Sequence, residues 1–178
     1  SLEEKIQHVG NPVEMLRNAQ VGPYVFPIQS EFTNWRDEQE SWRTTAILMD
    51  QSFHMTDHYM EGPDVMRLLT DLGVNSFENF GRNKAKQIVV CNYDGYVIGD
   101  SILFGLENDR INIVNRPNAG NWVQFHAETG DYDVTVDKDD RALDNKGQRK
   151  GYRFEVQGPN AFEILAKANG GPLPEIKF

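Results

Sequence analysis

Cysteine is nearly absent: Cys91 is the only one in 178 residues. An intrachain disulfide framework is therefore excluded, and so is any zinc site built on several thiolates. Long apolar runs are missing too; none approaches the roughly 20 residues a membrane helix needs. Positive charge is scarce, with 18 Lys and Arg against 27 Asp and Glu and a formal net charge of −9. Such a chain repels polyanions, which argues against nucleic acid as a partner. There are only 4 histidines, and His54 and His58 lie four apart in a segment patterned as strand, where that spacing makes no helical metal pair; no metal site is expected. Neither a phosphate-binding glycine loop nor a dinucleotide fingerprint occurs. No charged-then-apolar leader opens the chain, so a cytoplasmic location is the expectation. The first residue is Ser1, which suggests a processed or trimmed chain.

What the sequence does contain is aromatic: 10 Phe, 6 Tyr and 3 Trp, with 39% apolar residues, enough for a packed core of one domain. Residues 1–10 show no firm pattern. Asn11-Pro12-Val13-Glu14 has the form of a capped helix start, with Pro tolerated at the first helical position, and the helix should end near Asn18. Gly22 to Pro27 reads as extended. A helix is expected over about Asn34–Thr44, with Trp35 and Trp42 packed on the core. Ala46–Asp50 reads as a short buried strand or turn and Thr56–Glu61 as a strand. Gly62-Pro63-Asp64 then opens a helix through Leu72. Lys86–Cys91 and Tyr96–Leu106 form strands around the turn Asn92-Tyr93-Asp94-Gly95, followed by a strand over Arg110–Val114 and a helix from Pro117 to about Gly130. Tyr132–Val136 alternates as a strand, residues 137–150 read as an exposed charged loop, Tyr152–Gln157 as a strand, and Gly158-Pro159-Asn160 opens a last helix. Helices grouped around antiparallel hairpins give an α+β fold rather than a doubly wound sheet. Residues 1–45 form an N-terminal helical and extended segment, and 46–178 the main domain. The stretch Met60–Asp64 is echoed by Val156–Asn160, either as an old duplication or as one local solution used twice.

Three segments are candidates for chemistry. Asp50-Gln51-Ser52-Phe53-His54-Met55 joins a buried run to a strand; it either lines a pocket or supplies a capping Asp and a core histidine. Asp100 sits among Ile98, Ile102 and Leu103, so its carboxylate faces solvent or meets a donor, which a ligand N–H would provide. Asn115-Arg116-Pro117 lies between strand and helix, where the guanidinium either faces an anion or makes a surface ion pair.

Together these segments resemble the folate-binding domain of the glycine-cleavage T-protein aminomethyltransferases. The resemblance rests on Asp50 with His54-Met55, Gly62-Pro63-Asp64 before a Leu-rich helix, Tyr93-Asp94-Gly95 with Val97-Ile98 and Asp100, Val114-Asn115, and Val156-Gln157-Gly158-Pro159. The segment between Asp50 and His54 is one residue longer than in the T-proteins. Gln51 and Phe53 are closer to a side branch, the tetrahydrofolate-dependent aromatic O-demethylases that act on vanillate and syringate. So are Asn11 to Asn18, Asn34-Trp35-Arg36, Asn83 to Gln87, Asn121-Trp122 and His126-Ala127. The similarity runs from about Asn11 to Phe178.

The resemblance implies transfer of a methyl group from an aryl methyl ether to N5 of tetrahydrofolate. Arg116 would take an anionic group of a small aromatic acid and act with His54 in catalysis. Gln51 and Phe26 would line the substrate pocket. Asp100 and Asn115 would lie near the pterin, with Trp122 as a wall. Where the demethylases carry a tyrosine, this chain has Phe26, which puts the substrate in question. The chain corresponds to less than half of a typical family member. The implied partner is therefore the remainder of a full-length chain. The piece is expected to be inactive alone and to expose apolar surface that favours self-association. Aminomethyl transfer in glycine cleavage, and folate binding without catalysis, are the alternatives.

Overall fold

A computed structural model describes residues 1–17, 32–141, 145 and 148–174; the extended segment Gly22–Pro27, with Phe26, lies outside the described residues. The helices are α1 (Leu2–Val9), α2 (Pro12–Arg17), α3 (Trp35–Thr44), α4 (Val65–Leu72), α5 (Pro117–Thr129) and α6 (Ala161–Asn169). The strands are β1 (Ile47–Asp50), β2 (Thr56–Glu61), β3 (Ala85–Cys91), β4 (Val97–Gly105), β5 (Arg110–Asn115), β6 (Thr135–Asp139) and β7 (Phe154–Gln157). Five strands form an antiparallel sheet in the order β3-β4-β5-β2-β6, and β1 pairs antiparallel with β7 in a separate two-stranded sheet. The fold is α+β, as the sequence implies.

Period-two alternation gives the five-stranded sheet two chemically different faces. Ile88, Val90, Leu103, Ile111, Ile113 and Met60 are buried and pack with Leu68 and Leu69 of α4 and Ala119 and Val123 of α5. Each fully buried side chain of this size contributes about 1.5–3 kcal/mol, so this layer holds the domain together. The alternate residues, among them Asp57, Tyr59, Asp100, Ile102, Phe104, Asn112 and Val114, turn to the other face. Register sets them side by side: Ile102 pairs with Val114, Phe104 with Asn112, and Asp57 and Tyr59 with Val114 and Asn112.

The echoed turn is the same structure twice. Gly62 and Gly158 have φ of +148° and +135°, a region closed to other residues. A Cβ on Gly62 would collide with the Asp133 carbonyl, and one on Gly158 with that of Thr45. Asp64 and Asn160 then take φ −96°, ψ 5° and φ −95°, ψ 5°. Each turn closes with a backbone hydrogen bond, Val65 N to Gly62 O and Ala161 N to Gly158 O. In each copy the glycine packs on the chain just before a neighbouring strand, β6 for the first and β1 for the second.

One segment without a firm pattern gains a structure, and three expectations are corrected. Residues 2–9 are helical, because Ser1 and Glu4 form a capping box. Trp35 and Trp42 do not pack on the core: they are 51% and 50% exposed, α3 buries no residue, and Arg36 stacks over the Trp35 ring at 4.3 Å. The strand expected over Tyr132–Val136 is Thr135–Asp139, because pairing with β2 decides its register. Residues 137–150 are not wholly an exposed loop. Asp139 closes β6, and Asp139 and Arg149 are both buried, since each finds an ionic partner inside.

Candidate functional site

Asp57 is the hub of the open sheet face. Its strand position aims a carboxylate into a buried setting, and a lone charge there would be very costly. Three donors satisfy it. The Arg149 guanidinium meets Oδ2 through Nη2. Arg153 Nη2 donates to Oδ1 at 2.6 Å, and Asn112 Nδ2 donates to the same oxygen at 2.7 Å. Arg149 also pairs with Asp139 at 3.2 Å through Nε, and its Nη1 donates to the backbone oxygens of Met55 and Asp140 at 2.8 and 2.7 Å. Two carboxylates and two guanidiniums thus balance in one cluster.

That cluster fixes the segment that carries Gln51 and His54. Gln51 N donates to Arg153 O at 2.8 Å, Arg153 N donates to Ser52 Oγ at 2.9 Å, and Asp50 Oδ1 accepts from Ser52 N at 2.8 Å. With Arg149 gripping the Met55 carbonyl, the run is held at both ends. His54 is half-buried. Burial pushes its pKa down, and the charges of Arg153, Arg116 and Arg149 push it the same way, against a contact with the Gln51 backbone. Its neutral form is favoured first because burial disfavours the charged ring, and then because the nearest charges that act on it are arginines.

Two hollows adjoin on consecutive rungs of β4 and β5. The larger, about 530 Å³, is lined by Gln51, Tyr59, Phe104, Asn112, Tyr152 and Arg153, among others. The smaller, about 350 Å³, is lined by Met55, Asp100, Ile102, Val114, Arg116 and Asn118, with others. Both volumes fall in the range of small-molecule sites. In the larger hollow, burial and the charges of Asp57 and Asp139 raise the pKa of Tyr59, so its hydroxyl keeps its proton. Arg153 is partly open there, 31% exposed at the side chain.

The expected site residues are distributed as follows. Asp100 and Arg116 line the same hollow, Asp100 accepting from Gln87 Nε2 at 2.7 Å. Gln51 lines the neighbouring one. His54 lines neither hollow; it stands on the held segment whose ends, Gln51 and Met55, line one hollow each, within electrostatic reach of arginines from both. Asn115 points the other way, into the layer of α5. It is fully buried, its Oδ1 accepts from Gly120 N at 3.2 Å, and its Nδ2 lies 3.2 Å from His58 Nδ1. Trp122 also departs from the group. It lines neither hollow and packs edge-on against His126 at 4.7 Å and Tyr93 at 5.7 Å, because α5 covers the opposite face of the sheet. Phe26 lies outside the described residues.

Sequence reasoning missed Asp57, Asn112, Arg149 and Arg153. Asn112 gives the signal that singled out Asp100, a polar residue inside the apolar strand Ile111-Asn112-Ile113-Val114. Arg149 gives none, because its charge-rich surroundings read as a solvated loop. Among the described residues no group of acidic, histidine or cysteine side chains is placed to hold a metal.

Comparison with known proteins adds a family. Residues 11–178 match the GCVT N-terminal domain. The whole chain is 48% identical to a syringate O-demethylase of Sphingobium sp. (strain NBRC 103272 / SYK-6), covering 39% of that protein. It is 30% identical, over 81% of its length, to an aminomethyltransferase of Corynebacterium aurimucosum, covering 36% of it. The fold superposes on the crystal structure of the glycine cleavage system aminomethyltransferase T from Bartonella henselae, with a TM-score of 0.62 and 22% identity, over 80% of this chain and 37% of that one.

Proposed function

Since the chain belongs to the GCVT N-terminal domain family, we propose that it is the folate-binding part of a tetrahydrofolate-dependent methyltransferase that demethylates a methoxylated aromatic acid. The observation that carries this reading is the 48% identity to a syringate O-demethylase along the entire chain, against 30% to an aminomethyltransferase. The chain spans 39% of the length of the first, so turnover, substrate and partners are part of the proposal. Aminomethyl transfer in glycine cleavage is the second reading, favoured by the aminomethyltransferase relatives.

The open sheet face fits a pterin and a small aromatic acid. Phe104, Tyr59 and Tyr152 supply flat walls, Asp100 supplies an acceptor, and Asn112 has a buried side-chain oxygen with no partner among the described residues. Bound tetrahydrofolate would supply the nitrogen, N5, that accepts the methyl group. The chain's own residues act on the aromatic partner. Arg116 takes the carboxylate of the acid. As the aryl oxygen loses its methyl group it becomes a phenolate, a leaving group that needs neighbouring positive charge. The guanidiniums that disfavour an imidazolium at His54 favour that developing negative charge. His54, neutral, gives its one N–H to the Gln51 backbone, so its other ring nitrogen is left as an acceptor for a proton rather than as a donor. The held segment Gln51–Met55 keeps these groups in register.

The test is binding followed by turnover. Tetrahydrofolate and syringate should each raise the melting temperature of the chain. Arg116→Ala should weaken syringate about tenfold or more, the usual worth of a charged hydrogen bond, and leave tetrahydrofolate within about threefold. Equal losses would remove Arg116 from its role. Methyltetrahydrofolate together with a demethylated phenol identifies the first activity, and ammonia released from an aminomethylated lipoyl protein the second. The 178-residue chain alone should bind without turnover.

A further inference from the structure

We propose that Asn112 is a ligand-reading residue of the larger hollow, held in its orientation by Asp57. The side chain is 7% exposed and lines the 530 Å³ hollow. Its amide orientation is fixed by chemistry: an ionised carboxylate only accepts, so the group 2.7 Å from Asp57 Oδ1 is the amide nitrogen. The other end, Oδ1, is then a buried acceptor, and it has no partner among the described residues. Buried polar atoms are nearly always paired in native proteins, so an unpaired one at the wall of a cavity points to a donor that arrives with the ligand.

Asp57 cannot turn away to relieve it, because Arg149 and Arg153 hold the same carboxylate. Nor can the amide flip, since its oxygen would then face Asp57. The site therefore selects a planar ring that carries an N–H or O–H at the edge entering between Tyr59 and Phe104. A phenolic hydroxyl of the aromatic acid has this chemistry, and so does a ring N–H of the pterin. A ring without such a donor would leave Asn112 Oδ1 unpaired and should bind worse by the usual cost of that loss. Asp57 is accordingly a positioning residue, acting through Asn112.

The inference rests on the reading above for its choice of probes, and calorimetric titration of the chain tests it with tetrahydrofolate and syringate separately. Asn112→Leu is expected to lose at least tenfold in affinity for one of the two and to stay within threefold for the other; the ligand that suffers is the one donating the hydrogen bond. If the donor is the phenol, wild type should also prefer syringate over 3,4,5-trimethoxybenzoate, which lacks the hydroxyl, and the variant should lose that preference. Unchanged affinity for both ligands overturns the proposal and leaves the folate reading intact. Equal losses for both overturn it as well, since they mark Asn112 as merely structural. Binding of neither probe by wild type overturns the proposal and the reading together. Should the leucine variant not fold, Asn112→Ser, which keeps a hydroxyl beside Asp57, is judged by the same comparison.

Discussion

His58 shows how one buried side chain ties stability to pH. It lies fully inside the layer between β2 and α5, with Nδ1 3.2 Å from Asn115 Nδ2. The amide nitrogen is the donor, so Nδ1 must be unprotonated. Burial drives the pKa down from 6.5 to about 4, although the Asn121 side chain favours the charged ring. The unfolded chain therefore binds a proton below pH 6.5 that the folded chain refuses until about pH 4. Stability should fall as pH drops through that window, by an amount on the order of 3 kcal/mol from this group, and level off below it. Urea unfolding at several pH values checks this. His58→Leu should flatten the slope between pH 6.5 and 4 relative to wild type; an unchanged slope would show that His58 titrates normally. No sequence pattern announces this histidine as buried. It stands in a strand whose alternate residues, Asp57 and Tyr59, are as polar as it is, so the face it takes depends on pairing with β5.

At the scale of elements, α5 packs against the sheet without room for a methyl group at Gly120. A Cβ on Gly120 would collide with the His58 ring and lie 2.6 Å from Asn115 Nδ2. Alanine is better than glycine in a helix by about 1 kcal/mol, but forcing a methyl group into a packed layer costs about 1–3 kcal/mol. It would also disturb the bond from Gly120 N to Asn115 Oδ1. Packing should win, so Gly120→Ala is expected to lower the melting temperature with a net loss of about 1 kcal/mol or more. A rise would mean that α5 stands further from β2 than described. The element boundaries were legible where a turn residue forces them. The turn Asn92–Gly95 is built as expected, with Asn92 Oδ1 accepting from Asp94 N and Tyr96 N and Gly95 at φ +84°. The Gly-Pro helix starts at residues 62 and 158 were equally clear. They were illegible where long-range pairing decides: β6 lies three residues later than its alternation suggests, because Asp57 and Met60 of β2 choose Asp139 and Val136 as neighbours.

For the whole molecule, the question is whether chemistry from distant segments meets on one face. Asp100, Arg116 and Gln51 reach the two adjoining hollows, and the clues to them differed: a polar residue within an apolar strand for Asp100, a strand-to-helix junction for Arg116 and a polar segment at the mouth of a strand for Gln51. Of the arginines that complete the face, Arg149 comes from a stretch whose composition reads as solvent-exposed and Arg153 from one that reads as a strand; only the closed fold reveals their partners. Trp122 could not be placed from sequence, since helical spacing says which residues share a helix face and not which side of a sheet the helix covers. It joins Tyr93, Phe125 and His126 in an aromatic group on the far side. The two sides of the sheet thus make opposite forecasts for ligand binding. Backbone amide NMR of the chain during titration with tetrahydrofolate reads both at once. The account predicts shifts concentrated at Gln51–Met55, at Asp100–Phe104 of β4 and at Asn112–Arg116 of β5, with Tyr93, Trp122 and Phe125 unmoved. Shifts centred on the Tyr93–Trp122 group, or none at saturating tetrahydrofolate, would contradict it.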